Sequence, residues 1–429
     1  MPVPVHPAHS VDLGRDRAID LVRALCVTAV VVLHALMVGV TVTADGPLFA
    51  NAAEAGTWLT PVSWVLQVMP LFFVIGGYAG LTAHRRMRER GLSDAAFVVG
   101  RIHRLLLPAT VVVGAAGIGL AVLELSGVPD ALVQIAGYRF GQPLWFLAVF
   151  LLCQALLPAL LRAHRAAPLG TIAVLGGAAL LVDAARILSG VDAIGFLNLG
   201  FVWLTMQQLG FHLAEGRIDA LSRRVRIGVA AAGAVLLALS FQTGVHSPDL
   251  VANLNPPTTA LILIGVVHTC AFSLLRAPIS SLANRPRVAM FTEFVSRRAM
   301  TVYLWHMPVL LTLAGVSALI AGAGLLTLPS PATADWWLGR PVWLLLALSL
   351  TALIAVPLSR VEAVRLPQAT LGGFRVALAA ICGSAGIVLL LVRGASTTTI
   401  PVALALTVAG LAMATLREGG VHRTGGLPP

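Results

Sequence analysis

The residues of this chain best placed to do chemistry lie on its first apolar run, Asp20-Leu-Val-Arg23-Ala-Leu-Cys-Val-Thr-Ala-Val-Val-Val-Leu-His34. Arg23 and His34 are eleven residues apart, and on a helix eleven steps of about 100° return to within about 20° of the same face while rising about 16 Å. An imidazole, with a reference pKa near 6.5, can remove the proton of a hydroxyl nucleophile as it attacks. A guanidinium offers a planar fork of donors suited to phosphate or carboxylate. Asp20 is within i,i+3 reach of Arg23 and can hold that fork in place. Taken singly, Arg23 serves as a topology anchor and His34 as a partner in an interhelical hydrogen bond. Their shared face favours a site.

Two further clusters carry ionisable groups into apolar surroundings. In Arg101-Ile-His103-Arg104 the two arginines are i,i+3 neighbours that point the same way, so they can present donors to phosphate together; as isolated residues they would be snorkelling anchors. In Tyr303-Leu-Trp-His306 the tyrosine and histidine share a face, and Pro308 can loosen the backbone where a cavity is needed. A third deep histidine, His268, lacks a clear polar neighbour and reads as structural. Cys26, Cys153, Cys270 and Cys382 each sit alone in an apolar stretch, as small core residues do. No Walker loop, zinc-protease HExxH, GxSxG elbow or metal-ligand spacing is present.

The elements that must position these groups follow from composition. With 58% hydrophobic and 11% charged residues among 429, and a mean hydropathy of +0.90, the chain is neither an ordinary soluble domain nor disordered. Apolar runs long enough to cross a bilayer are expected at 18–41, 58–83, 104–125, 143–161, 168–189, 194–214, 227–243, 257–275, 299–322, 341–358, 376–392 and 399–416. The fold class is therefore all-α, a polytopic transmembrane helical bundle, with twelve spans expected. The polar, proline-rich first fifteen residues and the long first run argue against a cleavable signal peptide.

Every positive side chain is arginine, and the formal net charge is +11. Nucleic-acid binding is one reading of that excess, topology the other. With the N-terminus inside, 25 of the 29 arginines fall on the cytoplasmic side, leaving only Arg139, Arg186, Arg340 and Arg393 outside. The positive-inside pattern thus places a multi-pass protein in the cell membrane with a cytoplasmic N-terminus and removes the case for nucleic acid.

These elements, in this order, resemble the acyltransferase 3 family of integral membrane O-acyltransferases over roughly residues 16–360. Asp20-Leu-Val-Arg23 followed by His34 is similar to the family's Arg-x10-His signature, Phe72-Phe73-Val-Ile-Gly76-Gly77-Tyr78 to its aromatic-glycine stretch, and Arg101-Ile-His103-Arg104 to its RxxR motif. Leu144-Trp145-Phe146-Leu147 resembles its Trp-Phe-Leu helix start, and Tyr303-Leu-Trp-His306 its Tyr-Leu-x-His segment. Gly76 stands where many members carry serine, so no hydroxyl role transfers to that position.

The resemblance implies a ten-helix acyltransferase domain at 16–360; an N-terminal tail (1–15) precedes it, and two extra helices at 361–417 and a tail at 418–429 follow. It also implies a cytoplasmic acyl-CoA donor, typically acetyl-CoA, with no metal, and a hydroxyl-bearing acceptor: a cell-envelope glycan, a glycolipid or a secreted metabolite. On that reading Arg23, Arg101 and Arg104 hold the CoA phosphates, and His34 is the general base or, less favoured, carries the acyl group. Tyr303 or His306 then donates to the thioester oxygen. A proton-coupled secondary transporter or a lipid or glycan flippase is the rival reading, since buried histidines and a basic inner face would serve it as well. A purely structural membrane protein would leave the aligned Arg23 and His34 unexplained.

Overall fold

A computed structural model describes residues 16–44, 46–364 and 372–415. The two tails, with Arg15, Arg417 and Arg423, and the segment containing Arg365 lie outside the described residues. Ten helical stretches among the described residues are long and apolar enough to cross a membrane. The all-α bundle expected from composition is what the chain forms.

Helix α1 (Arg17–Met37) starts where the Asp16 carboxylate accepts from the backbone N–H groups of Ala18 and Ile19. It ends four residues short of the expected boundary. Val38 to Thr43 is β-branched at every position but Gly39, and this stretch forms strand β1 (Val38–Thr43), paired antiparallel with β2 (Gly46–Asn51) as a small hairpin. We call the end of the bundle where α1 begins proximal and the hairpin end distal.

The expected second span is two helices, α2 (Leu59–Leu66) and α3 (Met69–Glu89). Pro70 opens α3, where its missing N–H costs nothing, and Gln67 in the break donates to the Leu250 carbonyl at 2.8 Å. Helix α4 (Asp94–Leu125) starts ten residues before the expected boundary, because Ser93 caps it by accepting from Ala96 N–H. Its 32 residues span about 48 Å, so Arg101 and Arg104 stand two turns inside a helix that overshoots a bilayer core of about 30 Å.

Helix α5 (Asp130–Gly141) leads into α6 (Trp145–Ala166), followed by α7 (Pro168–Ser189), α8 (Asn198–Ala214), α9 (Arg223–Gln242) and α10 (Ala260–Ala283). The short basic helix α11 (Pro286–Arg297) was not expected; it packs against α1 and leads into α12 (Ala299–Gly322). Helix α13 (Ala334–Leu358) starts seven residues early, capped by Thr333, which brings Arg340 inside it. The chain ends in α14 (Gly373–Arg393) and α15 (Thr399–Thr415). Both α8 and α15 have 17 residues and are not among the ten stretches long and apolar enough to cross a membrane, so ten of the twelve expected spans are found among the described residues.

In lipid, helices are held by close packing rather than by water exclusion, so small residues mark the contacts that matter. At the α3–α8 crossing a Cβ on Gly77 would stand 2.3 Å from the Gln207 carbonyl oxygen, and one on Gly210 would stand 2.1 Å from that of Val74. The two backbones touch, and neither can retreat as a flexible side chain could. Gly77→Val should therefore lower the thermal unfolding midpoint of the detergent-purified protein by several degrees, more than the 1–3 kcal/mol typical of overpacking would give. An unchanged midpoint would disprove the tight crossing.

The last two helices are packed in the same manner. A Cβ on Gly383 of α14 would lie 2.2 Å from a methyl of Leu106 on α4, and one on Gly137 of α5 would lie 1.8 Å from the Ala395 carbonyl oxygen. The pair thus lies along α4 and α6.

At the proximal end, charged residues from several helices interlock. Arg276 of α10 pairs with Asp16 and Asp219, and Arg17 donates to Asn284 at 2.8 Å. Glu215, just past α8, accepts from Arg85 of α3 at 2.6 Å and Arg217 at 2.8 Å, and pairs with His164 of α6 at 3.2 Å. Burial pushes the Glu215 carboxyl up, but the hydrogen bond and charge of His164, with the charges of Arg217 and Arg85, outweigh it and hold the carboxyl below its ordinary 4.5. The stabilisation it provides is complete above that value and disappears as pH falls through the lower folded-state pKa. Glu215→Gln should lower the unfolding midpoint at neutral pH and flatten its decline in acid. A variant as acid-sensitive as the wild type would contradict this linkage.

Candidate active site

Helices α1 and α12 run side by side, and this pairing brings His34 and His306 together from positions 272 residues apart. His306 Nε2 lies 3.1 Å from His34 Nδ1, with ring centroids 4.9 Å apart. The other ring nitrogen of His306, Nδ1, is bonded to the Tyr303 carbonyl oxygen one turn back. A carbonyl can only accept, so Nδ1 bears the hydrogen, and in the neutral ring Nε2 is left as a bare acceptor.

That settles the direction of the next bond. His34 Nδ1–H donates to His306 Nε2, and the unshared pair of His34 comes to rest on its Nε2. His306 is 1% exposed whereas His34 is only half-buried, so the nitrogen left free belongs to the more accessible ring. The arrangement can hold one imidazole in a single tautomer with a basic nitrogen available. Of the three deep histidines, His268 stays apart on α10, its Nδ1 buried without a hydrogen-bond partner.

Tyr303 donates its hydroxyl hydrogen to the Pro143 carbonyl at 2.6 Å, which ties α12 to the start of α6. Its ring packs edge-on against Phe146 at 4.9 Å and leads into a cluster in which Phe72 and Phe73 of α3 meet Phe146 and Phe150 of α6. Trp203 of α8, not singled out in the sequence, is fully buried and stacks on Phe73 at 4.4 Å. The aromatic-glycine stretch and the Trp-Phe-Leu helix start are thus two sides of one apolar wall beside the histidine pair.

Arg23 donates to Asp20 at 2.9 Å, as the i,i+3 spacing suggested. It lies eleven residues toward the proximal end from His34, about 16 Å along the helix. The structure gathers the three arginines: the charges of Arg23 and Arg104 both act on Arg101, whose guanidinium sits 4.9 Å over the Phe97 ring. Among the described residues no carboxylate pairs with Arg101 or Arg104. Three like charges held together, two without a counter-ion, make a place for an anion with more than one charge.

On the distal side of His34, Arg340 of α13 is 9% exposed and lies between two indoles, with Trp336 at 3.7 Å and Trp343 at 5.3 Å. The span expected at 341–358 begins one residue after it, whereas the helix begins at Ala334. The signal that could have found it is Trp336-x3-Arg340-x2-Trp343, whose spacing places all three on one helical face.

Residues 16–360 match the family described as an acyltransferase domain. Searches of curated proteins and of solved structures returned no match.

Proposed function

From the premise that the chain belongs to the acyltransferase 3 family, and is thus a multi-pass membrane acyltransferase using an acyl donor and an acceptor, we propose that it carries an acyl group, in the first instance acetyl, from cytoplasmic acyl-CoA to a hydroxyl of a cell-envelope glycan, a glycolipid or a secreted metabolite. The observation that carries this reading is the His34–His306 pair, with its free nitrogen on the same helix as Arg23. The proximal end faces the cytoplasm of the cell membrane, as the arginine distribution supports.

CoA phosphates rest on Arg101, Arg104 and Arg23, and the pantetheine arm runs up the α1 stripe to bring the thioester to His34. The acceptor hydroxyl approaches from the distal side. Its oxygen attacks the thioester carbonyl carbon while its proton passes to His34 Nε2; the C–S bond then breaks, and the same nitrogen returns the proton to the departing sulfur as free CoA thiol. His306 fixes the tautomer of His34 and stabilises the transient imidazolium. With its Nε2 turned to His34 and the Tyr303 hydroxyl given to Pro143, both act by positioning; donation to the thioester oxygen is the less supported role.

The test is incubation of the purified protein with radiolabelled acetyl-CoA and a panel of glycan, glycolipid and polyol acceptors. An alkali-labile labelled product supports the reading. Acceptor export without any labelled ester would favour a transporter instead.

A further inference from the structure

The acyl-transfer reading leaves the acceptor's chemistry open, and the distal surroundings of His34 speak to it. Arg340 is the buried one of the four arginines that the charge pattern assigns to the distal side; Arg139 and Arg186 are half-buried and Arg393 is exposed. Its Nη1 donates to the Val38 carbonyl at 3.3 Å, and Trp343 beside it donates through Nε1 to the Ala35 carbonyl at 2.9 Å. Ala35 directly follows His34, and Val38 is four residues on, about 6 Å of helical rise. The guanidinium therefore lies one turn distal of the histidine pair, on the side from which the acceptor comes.

What Arg340 lacks is an anion. Among the described residues no carboxylate lies within ion-pairing distance of it, and one carbonyl accepts from a group with five N–H donors. Cation–π contact with the flanking indoles returns less than the burial of a charge costs. Trp336, 2% exposed, adds an indole N–H that is buried without a partner. Trp58 and Trp337 extend the indole surface outward, with ring centroids 5.3 Å apart. An arginine that served only as a membrane anchor would reach out to the headgroups rather than lie 9% exposed against α1.

We infer that Arg340, held between Trp336 and Trp343, forms the acceptor subsite for an acidic sugar, with the guanidinium taking an oxyanion of the sugar. This rests on His34 as the reacting base. An oxyanion seated on Arg340 would hold the sugar about one helical turn from the His34 ring, and an anion there completes the pairing that the chain itself does not provide. The oxyanion is a carboxylate, as in a uronic acid, or a phosphate, as in a glycosyl phosphate.

The test titrates the full-length protein in nanodiscs with D-glucuronate, α-D-glucose 1-phosphate and D-glucose, reading intrinsic tryptophan fluorescence. At least one anionic sugar should bind about tenfold more tightly than glucose, the equal of one charge-assisted hydrogen bond, and the preferred one identifies carboxylate or phosphate. Arg340→Gln should abolish that preference, and Arg340→Lys, which keeps the charge but not the fork, should retain part of it. Should the glutamine variant not fold, the wild-type titration and the lysine variant decide. Equal affinity for all three sugars in the wild type, or an anion preference that survives in Arg340→Gln, overturns the inference. Binding is read without catalysis. An anion preference in a protein that forms no labelled ester sinks the acyl-transfer reading alone, and ester formation without the preference sinks only the subsite.

Discussion

Alanine at position 34 should lower single-turnover acyl transfer from acetyl-CoA by about 10²–10⁴-fold, the range a positioned general base supplies. The change is made at a half-buried ring whose neighbours stay in place, so CoA affinity should hold within a factor of about two, well below one kcal/mol. His306→Ala, which frees His34 to adopt either tautomer and rotate, should cost less. The double variant should be no slower than His34→Ala alone, because two residues that act as a unit do not add. Transfer at the wild-type rate in His34→Ala would remove the base from the mechanism. If labelled acetyl accumulated on the wild-type protein in the absence of acceptor and mapped to His34, the covalent route would replace direct transfer.

Arg101→Ala and Arg104→Ala should each weaken CoA binding by about 10–100-fold, since a hydrogen bond to a charged group is worth roughly 1.5–3 kcal/mol. Neither arginine has a carboxylate partner among the described residues, so removing one strands no acid and the loss reports on the ligand directly. Dephospho-CoA, which carries less charge, should be less affected than CoA. Raising salt should weaken the wild type more than either variant. Arg101→Lys should recover only part of the affinity, because an ammonium lacks the guanidinium fork. The measurement is equilibrium binding of labelled CoA, and unchanged affinity in both alanine variants would sink the phosphate clamp.

The sequence made the bundle legible because a bilayer leaves few choices: apolar runs of about twenty residues become helices, and the arginines between them suggest the facing. Boundaries failed where local chemistry overrode hydropathy. Thr333 and Ser93 caps started α13 and α4 early, and the β-branched run after Met37 turned a helix into a hairpin. Within the site, what one helix determines was visible from spacing alone, such as Arg23 with Asp20 and the common stripe with His34. What required two helices was not. The 3.1 Å contact of His34 with His306, Trp203 stacking on Phe73 and Arg340 under α1 depend on how α1, α8, α12 and α13 cross, which no single-helix period encodes.

The hydrogen bond from His306 Nδ1 to the Tyr303 carbonyl bears on bioenergetics as well as on orientation. A chain of titratable groups that conducts protons across a membrane needs an acceptor at each step that can also release. Here the chain stops after two rings at a peptide oxygen, which can hold a hydrogen bond but is far too weakly basic to carry a proton onward. A proton taken up at His34 has no exit through His306 and must leave by the face it entered. On this path the membrane potential and the pH gradient have nothing to drive. A proteoliposome assay should then give the same turnover with an ionophore as without, a result a proton-coupled exporter built on these two histidines would not produce.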